Sequence, residues 1–502
     1  MKSFGVVLIS LLTAFAATAQ TGTNMAVRDL SLADCVQAAL QHNFDVQIER
    51  YDPQISVYNL NAAYSGYDPI FSASGQHNYN ESGAVFENGQ HIAGSEYNAD
   101  SFNSGFNGGT PWGMTYDLSG NVSGTVGNNS VSTVSNFFVP FQNSSGSIGI
   151  NLTQPLLNNF WIDTTRLTIR VSKNRLQYSE QGLRGQIITS VTAVANAYYE
   201  LIYAQDNVKV QQEALELAQT QLDQDKQRVE IGTLAQLSVQ SDESQVAQSK
   251  ASLIAAQSTL NTDQNTLKNL VTDDYSKWHD TDIQPAEALA APMQLFDLQD
   301  SWNKGMTERP DLLQARLNVE QQGIQLKFYR NQLFPELDLI GTYGYNGAGQ
   351  EFNNTFDQFN QGNAPFYSYG VKFSVPLSNI GPRNQYKSTK VTLQQIVLQL
   401  KQLEQNVMVE IDNAVKQAQS DYQSVDATRQ ARIYAEAALD AEQKTYAVGK
   451  ATTFEVLQYQ SSLTTARGQE IRALANYEED LANLAAQEGS TLERNGINLE
   501  AK

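Results

Sequence analysis

Cysteine is nearly absent from this chain: Cys35 is the single one among 502 residues, so no disulfide can form within it. Histidine is scarce too, and His42, His77, His91 and His279 are scattered along the chain. No glycine-rich phosphate loop opens a helix after a strand, and no two carboxylates make an acid/base pair in the context of a pocket. We therefore expect no enzyme, no metal site and no cofactor.

Basic residues are outnumbered as well, because 33 Lys and Arg stand against 53 Asp and Glu, for a net charge of −20. A phosphate backbone is bound by Lys/Arg surfaces, so nucleic acid is not expected as a partner. Beyond the N-terminus the chain has no run of about 20 apolar residues, which excludes a transmembrane helix. If the protein enters a membrane, it must span it as β-strands.

The N-terminus has the pattern of a secretory signal. Lys2 precedes an apolar run from Phe4 to Ala17, and Ala17 and Ala19 form a small-x-small cleavage site. The run is short for a bilayer span, so a removed signal peptide at residues 1–19 is favoured over an N-terminal anchor. The mature chain would begin at Gln20.

The chain repeats itself in an order that is kept across its two halves. The offset between matching positions is first 266, then 221, and finally 217. An ordered series of this kind indicates a duplication. The matched positions are 32–45 with 298–311, Pro69 with Pro335, 148–156 with 369–377, Val194 with Ile411, and Gly232 with Gly449.

The offset falls by 45, from 266 to 221, so the first copy carries 45 more residues than the second in one connection. This insertion lies at roughly His77 to Ser147. This segment is rich in Gly, Ser and Asn, a composition typical of turns and loops. We expect it to form a long surface loop.

Alternation of apolar and polar residues predicts β-strands near the repeated prolines. Alternation over about 10 residues, with aromatics near the ends, is the pattern of a membrane β-barrel strand. A half-buried strand of a soluble sheet is the alternative for each segment taken alone. The expected strands lie at about 69–80, 113–126 or 146–155, 335–346 and 367–377.

Two stretches without proline, 156–284 and 383–502, are rich in Ala, Gln, Leu and Glu, which favour helices. A glycine interrupts each one near its middle, so each predicts a helical hairpin, at about 160–271 and 383–488. One arm would be about 100 Å long at a rise of 1.5 Å per residue. The expected apolar stripes are Val191, Val194, Ala195, Tyr198 and Ile202, and Val407, Ile411, Ala414 and Ala418.

The predicted fold is therefore mainly helical with a membrane β-barrel, built from a duplicated unit of helix, two strands and a long helical hairpin. Four strands cannot close a barrel alone, because the smallest known barrels use about 8. Open edges in lipid cost several kcal/mol per unpaired backbone group, so a membrane form must oligomerise. The expected divisions are 1–19 (signal), 20–271 (first repeat), 272–297 (equatorial connector), 298–488 (second repeat) and 489–502 (tail).

Several motifs together resemble the outer membrane efflux protein (TolC-like) family over roughly residues 30–492. They are residues 150–156 and 373–377, which contain Pro155 and Pro376, the helical segment Ala197–Leu201, and the two glycine turns. The second turn, at residues 446–457, is particularly similar to the family's pattern. The resemblance implies a homotrimer whose 12-stranded barrel lies in the outer membrane and continues into a periplasmic helical barrel. It also implies passive export, with the periplasmic tips docked to a membrane fusion protein that leads to an inner-membrane pump.

The family closes its periplasmic tip with acidic rings and polar links between helices. Carried onto this chain, Glu455 takes the acidic ring position and Tyr446 the aromatic link. Three convergent carboxylates would repel one another and favour bound cations. Two positions depart from the pattern: Gln458 stands where a second carboxylate is common, and Ser238 is the uncharged counterpart of Glu455.

Two further expectations stay open. A gate held by Asp242 and Glu243, or a looser gate, is the alternative to Glu455, which could also be an ordinary solvated helix carboxylate. An exported coiled-coil scaffold or adhesin is the alternative to a channel, although it leaves the repeated strands without a purpose. The implied adaptor-docking tips are Ile231, Gly232, Thr233, Val448, Gly449 and Lys450.

Overall fold

The computed structural model describes residues 26–83, 85–87, 90–92, 94–130 and 138–497, so the predicted signal peptide lies outside the described residues. A 3₁₀ helix at Tyr64–Tyr67 precedes the first long strand. The α-helices are α1 Leu32–His42, α2 Phe44–Glu49, α3 Tyr51–Ala63, α4 Thr164–Glu230, α5 Gln236–Val271, α6 Tyr275–Trp278, α7 Leu298–Glu308, α8 Pro310–Asn331, α9 Phe352–Gln361, α10 Ile380–Ala447, α11 Thr453–Glu488 and α12 Thr491–Arg494.

The described strands form one large sheet and two small ones. β1 pairs with β8 in parallel, and β3 pairs with β4 in antiparallel fashion. The strands are β1 Ala26–Leu30, β2 Ile70–Glu81, β3 Val85–Glu87, β4 Gln90–Ile92, β5 Glu96–Gly109, β6 Thr115–Ser130, β7 Phe138–Pro155, β8 Thr281–Pro285, β9 Glu336–Gly349 and β10 Pro365–Ser374.

The large sheet has six strands in the order β10-β9-β7-β6-β5-β2, and every neighbouring pair is antiparallel. Each strand lies next to the one that precedes it along the chain within this sheet, so the sheet is a meander. The expectation of four strands is thus too low for the described chain. Strands are present at both of the alternative positions, 113–126 and 146–155, and the structure adds β5.

The expectation of a long surface loop between His77 and Ser147 is wrong. Most of this segment is strand: β5 and β6 pair over 14 residues each and meet at a tight turn. Gly113 in that turn has φ +91°, and the Thr110 N–H donates to the Met114 carbonyl at 2.8 Å. Serine, asparagine and glycine are turn residues, but here they occupy one whole face of a sheet, so their composition resembled that of a loop.

Residues that are paired directly across antiparallel strands project from the same face of the sheet. On this basis the sheet has an apolar face and a polar face. The apolar face includes Phe71, Phe102, Phe106, Leu118, Val122, Ile148, Ile150, Leu339, Tyr343, Tyr369, Val371 and Phe373. The polar face includes Ser72, Ser74, Asn103, Ser119, Asn121, Ser147, Asn151, Thr342, Ser368 and Lys372.

Helix α9, in the connection between β9 and β10, packs on the apolar face of the sheet. The ring of Phe352 lies over Gly124, where an added Cβ would fall 2.8 Å from the ring, and Phe359 lies in the same way over Gly347. The Thr355 hydroxyl, fully buried, forms a hydrogen bond of 2.8 Å with Ser144 of β7. Glycine is needed at these strand positions because the helix approaches so closely.

The long helices form because 129 residues rich in good helix formers run between Pro155 and Pro285 without a proline. α4 has 67 residues and α10 has 68, and each is followed by a helix of 36 residues. Most of the predicted stripe residues are buried: Val194, Tyr198, Val407 and Ile411 have no exposed surface. The helical apolar stripes are thereby confirmed.

Contacts divide the chain into two compact units. Of the described residues, one unit contains 26–43, 193–291 and 424–478, and its core includes Tyr198, Leu201, Leu267 and Ile283. The other contains the described residues within 44–192, 292–423 and 479–497, with the large sheet and a cluster of Leu312, Val407, Ile411, Val415 and Leu484. Within the described part of the chain, no helix combines the length and the apolar character needed to cross a membrane.

Candidate functional site

Each helical hairpin turns at a glycine with a left-handed backbone. Gly232 has φ +78° between α4 and α5, and Gly449 has φ +72° between α10 and α11. In both turns the glycine N–H and the next N–H donate back to the end of the helix, at 2.9 Å and 2.9 Å in the first turn and 3.0 Å and 3.1 Å in the second. These bonds satisfy carbonyls that would otherwise lack partners at the helix end. The duplication is therefore visible in the geometry of the two turns.

One buried polar cluster joins all four helices just behind these turns. Asp225 of α4 is fully buried, and its two carboxylate oxygens accept hydrogen bonds from the Tyr446 hydroxyl at 2.6 Å and the Thr453 hydroxyl at 3.0 Å. Tyr446 belongs to α10 and Thr453 to α11. Asp242 of α5, 1% exposed, is the fourth member: it lies beside Asp225, and neither of its buried carboxyl oxygens has a hydrogen-bond partner in the described chain. We call these four residues the tip cluster.

The tip cluster contains two carboxyl groups with little solvent around them. Burial and the neighbouring Asp225 raise the pKa of Asp242 to about 7. When two carboxyl groups share one site they cannot both ionise at low cost, so one of them holds a proton over a wide pH range. We infer that Asp242 holds a proton at acid pH and becomes charged only around neutrality.

Tyr446 is held in place from three sides. Its ring packs with Leu439, Val456 and Leu463, and the Arg228 guanidinium carbon lies 4.3 Å from the ring centre. Burial and the hydrogen bond to Asp225 raise the pKa of the Tyr446 hydroxyl, so it stays protonated and donates. The expected aromatic link is thus a link between hairpins, because Tyr446 and Asp225 belong to different hairpins.

Glu455 has a local role in the second turn. One of its carboxylate oxygens accepts from the Thr452 N–H at 2.7 Å and from the Thr452 hydroxyl at 2.9 Å, while the Glu455 N–H donates to that hydroxyl at 3.3 Å. This reciprocal pattern is a capping box, which stabilises the start of α11. The bonds from Thr452 lower the pKa of Glu455, which is exposed and therefore ionised at neutral pH.

The ends of the turns expose apolar side chains in matched positions. Ile231 is 74% exposed and its counterpart Val448 is 69% exposed. One turn further, Leu237 and Phe454 are 71% and 73% exposed, and they too stand 217 residues apart. Singly exposed apolar residues are ordinary, so the notable observation is that the same positions are exposed in both turns.

Comparison with known proteins decides the family. A profile described as outer membrane efflux protein matches residues 117–272 and 304–490, which is more than half of the chain. The chain belongs to the outer membrane efflux protein family. The resemblance inferred from the sequence is confirmed, and the protein is an outer-membrane efflux channel of the TolC type.

Relatives and solved structures agree with this family. The outer membrane protein TolC of Vibrio cholerae serotype O1 is 26% identical over 319 residues, which are 62% of this chain and 69% of that protein. TolC of Escherichia coli (strain K12) is 24% identical over 61% of this chain and 62% of its own length, a little under two thirds. The outer-membrane channel OprN superposes with a TM-score of 0.67 at 14% identity, covering 91% of this chain and 90% of its own. CusC superposes with a TM-score of 0.66 at 15% identity, covering 97% of this chain and 98% of its own. These structures share the fold.

In this efflux protein the structure brings only part of the predicted gate together. Tyr446 lies in the tip cluster, whereas Glu455 lies outside it in the capping box. Gln458 is exposed on α11, and Ser238 is half-buried in the first turn of α5. The alternative pair is also split, because Asp242 is buried in the cluster while Glu243 is exposed on α5.

Sequence reasoning missed Asp225 and Thr453, which hold Tyr446, and the exposed pair Leu237 and Phe454. The offset of 217 would have found Leu237 and Phe454, since both are apolar at equivalent positions beside a turn. No such signal marks Asp225, because its counterpart in the second hairpin is Glu442, a residue outside the tip cluster. Its role follows only from the side-by-side placement of α4 and α10.

Proposed function

We propose that three copies of this chain form the exit duct of a tripartite export system, conducting cargo passively from the periplasm to the exterior. The observation that carries the proposal is the large sheet, which is apolar on one face and lined with Ser, Asn and Thr on the other. That division suits a wall with lipid on one side and water on the other. The long hairpins then extend into the periplasm.

The tips are proposed to dock a periplasmic membrane fusion protein, and through it an inner-membrane pump. Ile231, Gly232 and Thr233 form one docking turn, and Val448, Gly449 and Lys450 form the other. The exposed apolar pairs at the tips support this proposal, because apolar surface that is grouped on the outside of a protein marks sites of interaction with other proteins. A tip with no partner would gain nothing from exposing them.

Docking is tested by replacing Ile231 and Val448 together with Asp. We expect loss of adaptor cross-linking and of export, with normal amounts of the oligomer in the outer membrane. Gln240→Asp is the control for added charge, since it adds one carboxylate at an exposed polar position of α5 without removing an apolar side chain. Undiminished cross-linking of the double variant would remove the docking assignment.

The gate is proposed to have two parts. The tip cluster locks the hairpins to each other, and three Glu455 carboxylates, one from each copy, surround the axis. Like charges near one axis repel and are relieved by a bound cation. Gln458 and Ser238 add no charge, so this ring has a single layer. Opening then requires the tips to separate.

Planar-bilayer conductance of Glu455→Gln tests the ring. Glutamine retains an oxygen that can accept from Thr452, so the capping box is kept while the charge is removed. We expect weaker block by divalent cations and a larger leak in the closed state. Thr452→Ala is the control, because it breaks the cap without changing the charge. Equal cation block in wild type and Glu455→Gln would refute the ring but leave the channel standing.

The scaffold or adhesin hypothesis is tested by membrane fractionation. A heat-modifiable oligomer in the outer membrane supports the duct. A soluble periplasmic monomer would overturn it.

A further inference from the structure

The large sheet leaves two strands at its edges, β2 and β10. Among the described residues neither is paired on its outer side, and the two are not paired with each other. β2 has 12 residues and β10 has 10, so both are long enough to reach across most of a bilayer's hydrocarbon layer. Every outward N–H and C=O on such an edge would cost several kcal/mol in lipid. Both edges therefore need a partner.

A second copy of the chain fits these edges. Because the meander has an even number of strands, β10 runs opposite to β2, and joining β10 of one copy to β2 of the next continues the antiparallel order. The apolar face also continues across the junction, since Tyr369 and Phe373 on β10 are 85% and 63% exposed and Phe71 on β2 is 59% exposed. The structure thus offers two complementary edges of similar length.

The hairpin of β5 and β6 is an integral part of this wall. β5 pairs with β2 over 12 residues, and β6 pairs with β7 over 16. Helix α9, from the other half of the chain, packs across the same strands: Phe352 meets Phe102 of β5 edge-on at 5.9 Å and covers Gly124 of β6. Removal of the hairpin from the sheet would break both sets of contacts.

We propose that each copy contributes six strands, and that three copies close a barrel of eighteen strands. The number of copies rests on the proposed function; the number of strands per copy rests on the sheet. Twelve strands would require each chain to expel the β5–β6 hairpin and to pair β2 directly with β7.

The difference in width is large. With strands about 4.8 Å apart and tilted by about 40°, each strand occupies roughly 6 Å of circumference. A barrel of eighteen strands is then about 36 Å across between backbones, against about 24 Å for twelve, which roughly doubles the cross-section. The outer-membrane part of this duct would admit bulkier cargo than a wall of twelve strands. Its inner surface would be the Ser- and Asn-rich polar face.

The first test counts strands directly, by electron cryomicroscopy of the oligomer extracted from the outer membrane. A section through the middle of the barrel should contain eighteen strands. A section with twelve strands, and a hairpin lying outside the wall, would overturn the inference while leaving the duct intact. A soluble monomer would overturn the proposed function, and the inference with it.

The second test uses cysteine pairs in a Cys35→Ser background, treated with a short thiol cross-linker in intact membranes. Ser74→Cys with Asn103→Cys joins β2 to β5, and Asn121→Cys with Ser147→Cys joins β6 to β7; these residues are direct partners. Both pairs should cross-link within one chain.

Ser101→Cys with Ser123→Cys is the matched control, because these partners lie within the β5–β6 hairpin and cross-link wherever it sits. Cross-linking of the control alone would refute the six-strand wall.

Discussion

Asp242→Asn should make the hairpin tips more stable at alkaline pH. In the tip cluster, burial and Asp225 raise the pKa of Asp242 from 3.8 to about 7. Between these values the folded state binds more protons than the unfolded state, so stability falls as the pH rises from about 4 to 7 and then levels off. This rise in the pKa of Asp242, from 3.8 to about 7, caps the effect at about 4 kcal/mol. Asparagine has no charge to lose and can donate to Asp225.

The assay is hydrogen exchange of tip peptides, corrected for the intrinsic effect of pH on exchange. For the wild type, we expect the opening equilibrium around residues 225–242 to rise between pH 5 and pH 8 by at most about 10²-fold, because the rise stops near pH 7. In Asp242→Asn the equilibrium should change little over that range. A local assay is needed because Asp480, whose pKa rises to about 8 through burial and Asp421, would add the same trend to a global melt.

Asp223→Asn is the control, since it removes the same charge from an exposed position of α4, two residues from Asp225. It should keep the pH dependence of the wild type. Identical profiles for wild type and Asp242→Asn would refute the idea that the buried Asp242 keeps a proton up to about neutral pH.

Three smaller predictions concern the same tips. Tyr446→Phe removes a donor to a buried carboxylate and should destabilise the tips by about 2 kcal/mol in the same exchange assay. Gly449→Ala, at φ +72°, should destabilise the turn by about 1–2 kcal/mol. Gly468→Ala within α11, where an added Cβ meets nothing within 4 Å, should stabilise the helix slightly. The rate of proteolysis at the turn should rise in the first variant and not in the second. Thr452→Ala should cost about 1 kcal/mol through loss of the cap, seen as faster exchange at the start of α11.

Much of the fold could be predicted from the sequence because its signals are periodic. The stretch without proline between Pro155 and Pro285 predicted a long helical hairpin. The second copy of the repeat predicted the same hairpin independently. Gly232 and Gly449 marked the turns, since only glycine takes φ near +75° without strain.

The sequence did not predict β5, because apolar and polar residues do not alternate regularly along it. Its apolar face carries Phe102 and Phe106 but also Asp100 and Asn98, which pair with Gly124 and Val126 of β6. A sheet face of Ser, Asn and Gly that borders water has the same composition as a loop. Only the pairing between strands distinguishes a strand of this composition from a loop.

At the tips, sequence could name single residues but not their partners. Glu455 follows a family pattern, yet its nearest bonds are local, to Thr452. Asp225 and Tyr446 are 221 positions apart, and their contact depends on how α4 packs beside α10. A contact of this kind depends on tertiary structure, and the spacing of residues along a single helix does not predict it.

The most direct measurement is single-channel conductance of the purified outer-membrane oligomer in a planar bilayer, compared with that of the double variant Tyr446→Phe and Thr453→Val. Both changes remove hydroxyls that hold Asp225. We predict a small, long-lived closed conductance for the wild type and a several-fold larger conductance for the variant, because the tips are then released. A membrane that stays non-conducting with both proteins would contradict the claim that this chain forms a channel gated at its hairpin tips.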